Sequence, residues 1–234
     1  MKILVLAALS ASSFVCVVGQ GRIIGQAEFD AVVKDDKEQA GLWTGKSYRI
    51  IVSTSSNATD KPESTYSSNS IIERAASGSS RSRLDSTFNG KTTTTETLRV
   101  GNSSYHRDGT EPWKKVDPKE SKTEQMVGEG SPDISQNADA RTEYRYLGRG
   151  EWKGENVSMY LRTERRTEPA ALSGNPTDLL ATGAFWINAD GLILKAEYRF
   201  MRHSGDRSSR TEIFIERAPC PDLVITEPPI LPQS

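Results

Sequence analysis

The clearest periodic signal in the chain lies near its C-terminus. There Leu192, Leu194, Ala196, Tyr198 and Phe200 alternate with Lys195, Glu197 and Arg199. A period of two with one apolar and one charged face is the mark of a strand in an antiparallel sheet wetted on one side. Similar runs, rich in β-branched and aromatic residues, predict strands over 47–53, 70–76, 81–89, 93–100, 104–107 and 112–116. Another set follows over 141–147, 156–167, 182–188, 192–201 and 209–217. Turn residues separate them: Gly101-Asn102, Asp108-Gly109 and Ala189-Asp190-Gly191. The last of these predicts a hairpin that brings Trp186 to the side of Leu194, Tyr198 and Phe200.

Helix is sparse by comparison. Phe29, Val32 and Val33 share one face of a short amphipathic helix beginning at Glu28, with a continuation to Leu42. Asp117-Pro118 predicts a second helix over 117–126, where the aspartate caps and the proline occupies the first turn. The polar interval 117–139 is the long break in the strand pattern and the natural lid or crossover. The pattern as a whole predicts a mainly β, antiparallel domain over residues 20–217.

The ends read differently. Lys2, the apolar run Ile3–Leu9 and small residues up to Gly19 form a secretory signal peptide, residues 1–19, too short to span a bilayer. Cleavage after Gly19 is expected; a lipidated Cys16 is the alternative. The predicted location is therefore periplasmic or extracellular. Cleavage leaves Cys220 as the one cysteine, which excludes a disulfide framework or a cysteine zinc site. Residues 218–234 hold Pro219, Pro221, Pro228, Pro229 and Pro232 and predict a disordered tail.

Charge and composition narrow the function. Lys+Arg 30 against Asp+Glu 31 gives no net field to attract nucleic acid. A hydrophobic share of 35% and mean hydropathy of −0.56 suit a sheet with one solvated face better than a compact α/β enzyme. His106 and His203 sit beside arginines with no spacing that converges them with carboxylates. His106-Arg107-Asp108 matches the first residues of a kinase catalytic loop, but Trp113 stands where that loop needs asparagine. No nucleophile elbow, phosphate loop or dinucleotide fingerprint is present. No catalytic residue, metal or cofactor is predicted. Asn57, Asn102 and Asn156 head Asn-x-Ser/Thr sequons.

Aromatic and aliphatic residues recur on many predicted strands: Tyr48, Tyr105, Trp113, Tyr144, Tyr146, Met159, Trp186, Leu194, Tyr198 and Phe214. With few helices to cover them, they predict a groove or an interface.

Four segments in order carry a resemblance. They are Tyr48-Arg49-Ile50-Ile51-Val52, the run Leu98 to Arg107, Trp113-Lys114-Lys115, and the run Phe185 to Glu197 containing Asp190-Gly191. In this order the chain resembles the LolA/LppX-like superfamily, periplasmic carriers and sensors of lipoproteins and lipids, though it is richer in Ser and Thr. The resemblance implies a strongly curved antiparallel sheet, an incomplete barrel, with a few short helices on its concave side. It also implies a non-enzymatic role, with a lipid or lipoprotein acyl chain held against apolar residues and at most peripheral contact with a membrane. Trp186, Leu194, Tyr198 and Phe200 are the expected ligand-lining residues. The alternative is an envelope module that docks another protein and takes no small ligand.

Overall fold

The computed structural model describes residues 21–34, 36–58, 65–117, 140–168 and 176–229. The expected signal peptide and the expected helix over 117–126, apart from Asp117, lie outside these residues.

Twelve strands form one antiparallel sheet that does not close into a barrel. They are β1 (Arg22–Ile24), β2 (Tyr48–Ala58), β3 (Tyr66–Arg74), β4 (Ser80–Phe88), β5 (Lys91–Val100) and β6 (Ser103–Asp108). Then come β7 (Lys114–Val116), β8 (Arg141–Trp152), β9 (Glu155–Glu168), β10 (Thr177–Ile187), β11 (Ile193–Ser204) and β12 (Arg207–Pro219). The spatial order β1-β8-β9-β10-β11-β12-β2-β3-β4-β5-β6-β7 shows two meanders joined where β12 pairs with β2. The mainly β, open-sheet expectation holds. The two edge strands have three residues each, and β7 carries Lys114 and Lys115, both features that discourage edge pairing.

This order dictates where the helices go. β1 and β2 stand six strand spacings apart, about 29 Å at ~4.8 Å per strand. Residues 25–47 must therefore cross one face of β8 to β12. They do so as α1 (Gln26–Asp30) and α2 (Asp36–Trp43). The sequence predicts one helix continuing to Leu42; two form instead. β-Branched Val32 and Val33 follow the C-cap Ala31 of α1, residues whose restricted χ1 lowers helix propensity. Each helix then supplies its own aromatic anchor to the sheet, Phe29 from α1 and Trp43 from α2.

Strand ends differ modestly from expectation. β8 runs on to Trp152 and turns through Lys153-Gly154, both at positive φ, as a two-residue hairpin requires. The segment after Pro219 touches the sheet at Cys220 and at Glu227. Cys220 N–H donates to Ser47 O at 2.9 Å, and the Tyr105 hydroxyl is hydrogen-bonded to Glu227.

Candidate functional site

Cross-strand register assigns each side chain to a face. Tyr144, Tyr160, Phe185, Ala196, Tyr198, Ile213, Ile215, Val52, Ile50 and Ile72 fall on the face crossed by the helices. Phe29 reaches into this row, its ring centroid 4.7 Å from Tyr144, 5.7 Å from Phe185 and 6.4 Å from Tyr160. Trp43 meets Tyr48 at 4.9 Å. Burial pushes the Tyr144 phenol above its ordinary pKa.

Phe185 and Tyr198 stand edge to face at 5.6 Å, and Gly183 between them leaves the room. A Cβ there would lie 3.1 Å from Phe185 Cζ and 3.4 Å from Tyr198 Cδ1. Leu194 is 3% exposed and Tyr198 2%, both inside the cluster closed by the helices. Phe200 is half-buried and marks its border. Its row continues through Ala181 to Glu164, a carboxylate 1% exposed that accepts from Arg162 at 2.9 Å. At this border apolar burial gives way to paired charge.

Trp186 departs from the sequence expectation: it lies on the opposite face. The loop 188–192 is not a tight two-residue turn. Asn188 N–H donates to Leu192 O, while its Oδ1 accepts from the N–H groups of Asp190 and Leu192. The register slips between Trp186 and Ile187, so Ile187 pairs with Ile193 and Trp186 with Lys195. Leu194 is the extra residue of the bulge. A one-residue slip moves a side chain to the other face. Phe185 and Ile187 take the places in the cluster that Trp186 was expected to share. On its own face Trp186 packs against the Lys195 ammonium, which lies 4.4 Å from its ring and 4.4 Å from Trp152. Lys195 also pairs with Glu197 at 2.5 Å.

The other aromatic residues divide as well. Tyr48 and Tyr146 join the helix face, whereas Tyr105, Met159 and Phe214 take the other. Trp113 holds the Arg107 guanidinium at 4.7 Å. Beyond Val52 and Ile72 the helix face turns to hydroxyls. Ser56 meets Thr211 at 3.1 Å, and Ser82 meets Thr97 at 2.6 Å. The apolar area of the helix face therefore spans only part of the sheet.

Two features were not legible in sequence. One is Gln39, which fixes α2 to the β10–β11 loop by donating to Gly191 O at 2.8 Å and accepting from Ile193 N–H at 3.0 Å. The other is a cavity of about 1070 Å³ at the end of the sheet where β9 and β11 finish and β10 and β12 begin. Among the described residues, no three His, Cys, Asp or Glu side chains converge as a metal site, and His106 bonds Asp108 at 3.2 Å.

No protein-family model matches the chain, and no curated protein matches it. Among solved structures, LprF from Mycobacterium bovis is 13% identical, with a TM-score of 0.44, over 91% of this chain and 100% of that one. A LolA superfamily protein from Nitrosomonas europaea is 12% identical, with a TM-score of 0.30, over 85% and 97% of the two chains. An outer membrane lipoprotein-sorting protein domain from Vibrio parahaemolyticus is 10% identical, with a TM-score of 0.27, over 80% and 92%.

Proposed function

We propose that this protein is an exported, non-enzymatic carrier or sensor of a lipid or lipoprotein acyl chain, bound against the helix face of its sheet. The observation that carries this reading is the slightness of the cover. An aromatic and aliphatic cluster spread over β8 to β12 and β2–β3 is closed by helices of five and eight residues. In the resting protein Phe29 occupies the space between Tyr144, Tyr160 and Phe185. An acyl chain would take that space when α1 lifts. Burial of ten methylenes gives roughly 8 kcal/mol gross at ~0.8 kcal/mol each, from which the displacement of α1 and the ordering of the ligand subtract.

The test is fluorescent fatty-acid binding measured beside thermal melting for the wild type and Phe29→Ala. Apparent affinity falls by the fraction of molecules that are open, so a variant with a looser cover should bind more tightly while melting lower. Failure of both proteins to bind any acyl chain would sink the reading.

A second reading, docking of an envelope protein, is favoured by one observation. Tyr66 and Phe88 are direct cross-strand partners on the helix face, beyond the covered area, and Phe88 is 57% exposed. Pull-down of a specific envelope protein that is lost in Phe88→Ser, without any bound acyl chain, would establish docking in place of the carrier role.

A further inference from the structure

The cavity at the strand ends has a lining unlike the helix face. Arg141, Arg165, Leu180, Met201 and Arg210 are successive cross-strand partners on β8, β9, β10, β11 and β12, so they form one row on the face away from the helices. Arg202 and Arg166 border the cavity from alternate positions, on the helix face, where Arg166 pairs with Glu164 at 3.6 Å. Its described lining contains one carboxylate, Asp178, already bonded to the Thr167 hydroxyl at 2.8 Å. Arg210 pairs with Glu212 at 2.5 Å. Arg141, Arg165 and Arg202 form no ion pair with a described carboxylate.

The Arg141–Arg165 pairing bears most weight. Like charges placed directly opposite each other in an antiparallel sheet are destabilising; among the described residues Glu143 attracts Arg165 electrostatically, but neither arginine closes an ion pair. Three guanidinium groups on one row, in a chain of net charge −1, concentrate cations at one end of the sheet, and of the three Arg210 alone is ion-paired among the described residues. Their planar forks match phosphate oxygens in pairs. Arg165 and Arg210 stand three strand spacings apart, about 14 Å at ~4.8 Å each. That span exceeds a single phosphate. Between them lie the half-buried Leu180 and Met201, the latter 48% exposed, which offer an apolar floor instead of further charge.

We propose that this cavity is a second binding site, independent of the acyl-chain reading, for a ligand carrying phosphate groups with at least two negative charges. The same chemistry is offered by a soluble polyphosphate and by the head groups of an anionic lipid surface. Arg141 and Arg165 bind one end of the charged group, and Arg210 the other. The apolar floor accepts the carbon part between or beyond the phosphates.

The experiment measures binding of inorganic tripolyphosphate by calorimetry. Co-sedimentation is measured in parallel with phosphatidylglycerol vesicles and phosphatidylcholine vesicles. Three proteins are compared: wild type, Arg141→Gln/Arg165→Gln, and Lys46→Gln/Lys91→Gln, which removes the same charge at exposed positions elsewhere. The wild type should bind tripolyphosphate, or phosphatidylglycerol over phosphatidylcholine, and the arm that responds identifies the source. The arginine double variant should lose at least tenfold, whereas the lysine double variant should bind as the wild type does. Relief of the Arg141–Arg165 repulsion should leave the melting temperature of the arginine variant unchanged or raised, so lost binding is not lost folding. No binding in either arm, or equal losses in the two variants, would overturn the site.

Discussion

Gln39 and Ile193, 154 residues apart, share a buried hydrogen bond in which the Ile193 N–H donates to the Gln39 side-chain oxygen at 3.0 Å. The amide of the same side chain donates to Gly191 O at 2.8 Å. One residue of α2 thus satisfies a carbonyl of the β10–β11 loop and the first N–H of β11, and holds the cover on the sheet.

Replacement of Gln39 by Leu should leave the Ile193 N–H buried without an acceptor. Such a group costs about 1–3 kcal/mol, equivalent to a fall of a few degrees in melting temperature at about 2–4 °C per kcal/mol for a chain of this size. Amide exchange at Ile193 should accelerate more than exchange in β4 and β5. Uniform acceleration across the sheet would show that Gln39 is not a local tether.

Trp186 should be dispensable for acyl binding. It lies on the face opposite Tyr198, stacked on the Lys195 ammonium. Trp186→Ala should lower stability, through lost packing against Met159 and a cation–π contact worth about 0.5–2 kcal/mol. Fatty-acid affinity should stay within about twofold, a ΔΔG of ~0.4 kcal/mol. A large affinity loss in a folded protein would move the ligand site to the other face.

Leu194→Glu separates core from groove. Leu194 is buried within the closed cluster, so an unpaired carboxylate there should cost several kcal/mol and unfold the chain. A folded, soluble Leu194→Glu protein would show that water already reaches this position.

Gly183 gives a narrower test of packing. An alanine methyl would crowd Phe185 at 3.1–3.2 Å and Tyr198 at 3.4 Å, and overpacking of this kind costs about 1–3 kcal/mol. Phe185→Leu in the same chain should recover part of the loss. Strict additivity in the double-mutant cycle would contradict the contact.

Acid should weaken the sheet in part through Asp85. Hydrogen bonds from Arg83 and then Thr94 hold its carboxyl below the usual carboxylate range. A group whose folded pKa is depressed contributes stability above its unfolded pKa, about 3.9. That contribution is lost as pH falls through the lowered folded value. Asp85→Asn should therefore be less stable than wild type near neutrality, and the gap should narrow below about pH 4. Parallel stability curves down to low pH would refute this assignment.

Much of the fold was legible in sequence because strand alternation is local. The register of Tyr198 and Phe200 with one face and Glu197 and Arg199 with the other follows from their spacing, and so does the scarcity of helix; the short edge strand β1 was not read. The face of Trp186 was not legible. It depends on a bulge at Leu194, set by how Asn188 wraps the loop and how Gln39 holds it from 154 residues away. The filling of the apolar face was hidden as well: Phe29 reads as a helix residue, and only the strand order, which sends the chain across β8 to β12, puts it between Tyr144 and Phe185. The arginine cavity was the least visible. Arg141, Arg165, Arg202 and Arg210 look like scattered polar positions along the chain. The sequence determined which residues alternate within each strand; the pairing of distant strands, a matter of backbone hydrogen bonds that carry no residue identity, decided which of them meet.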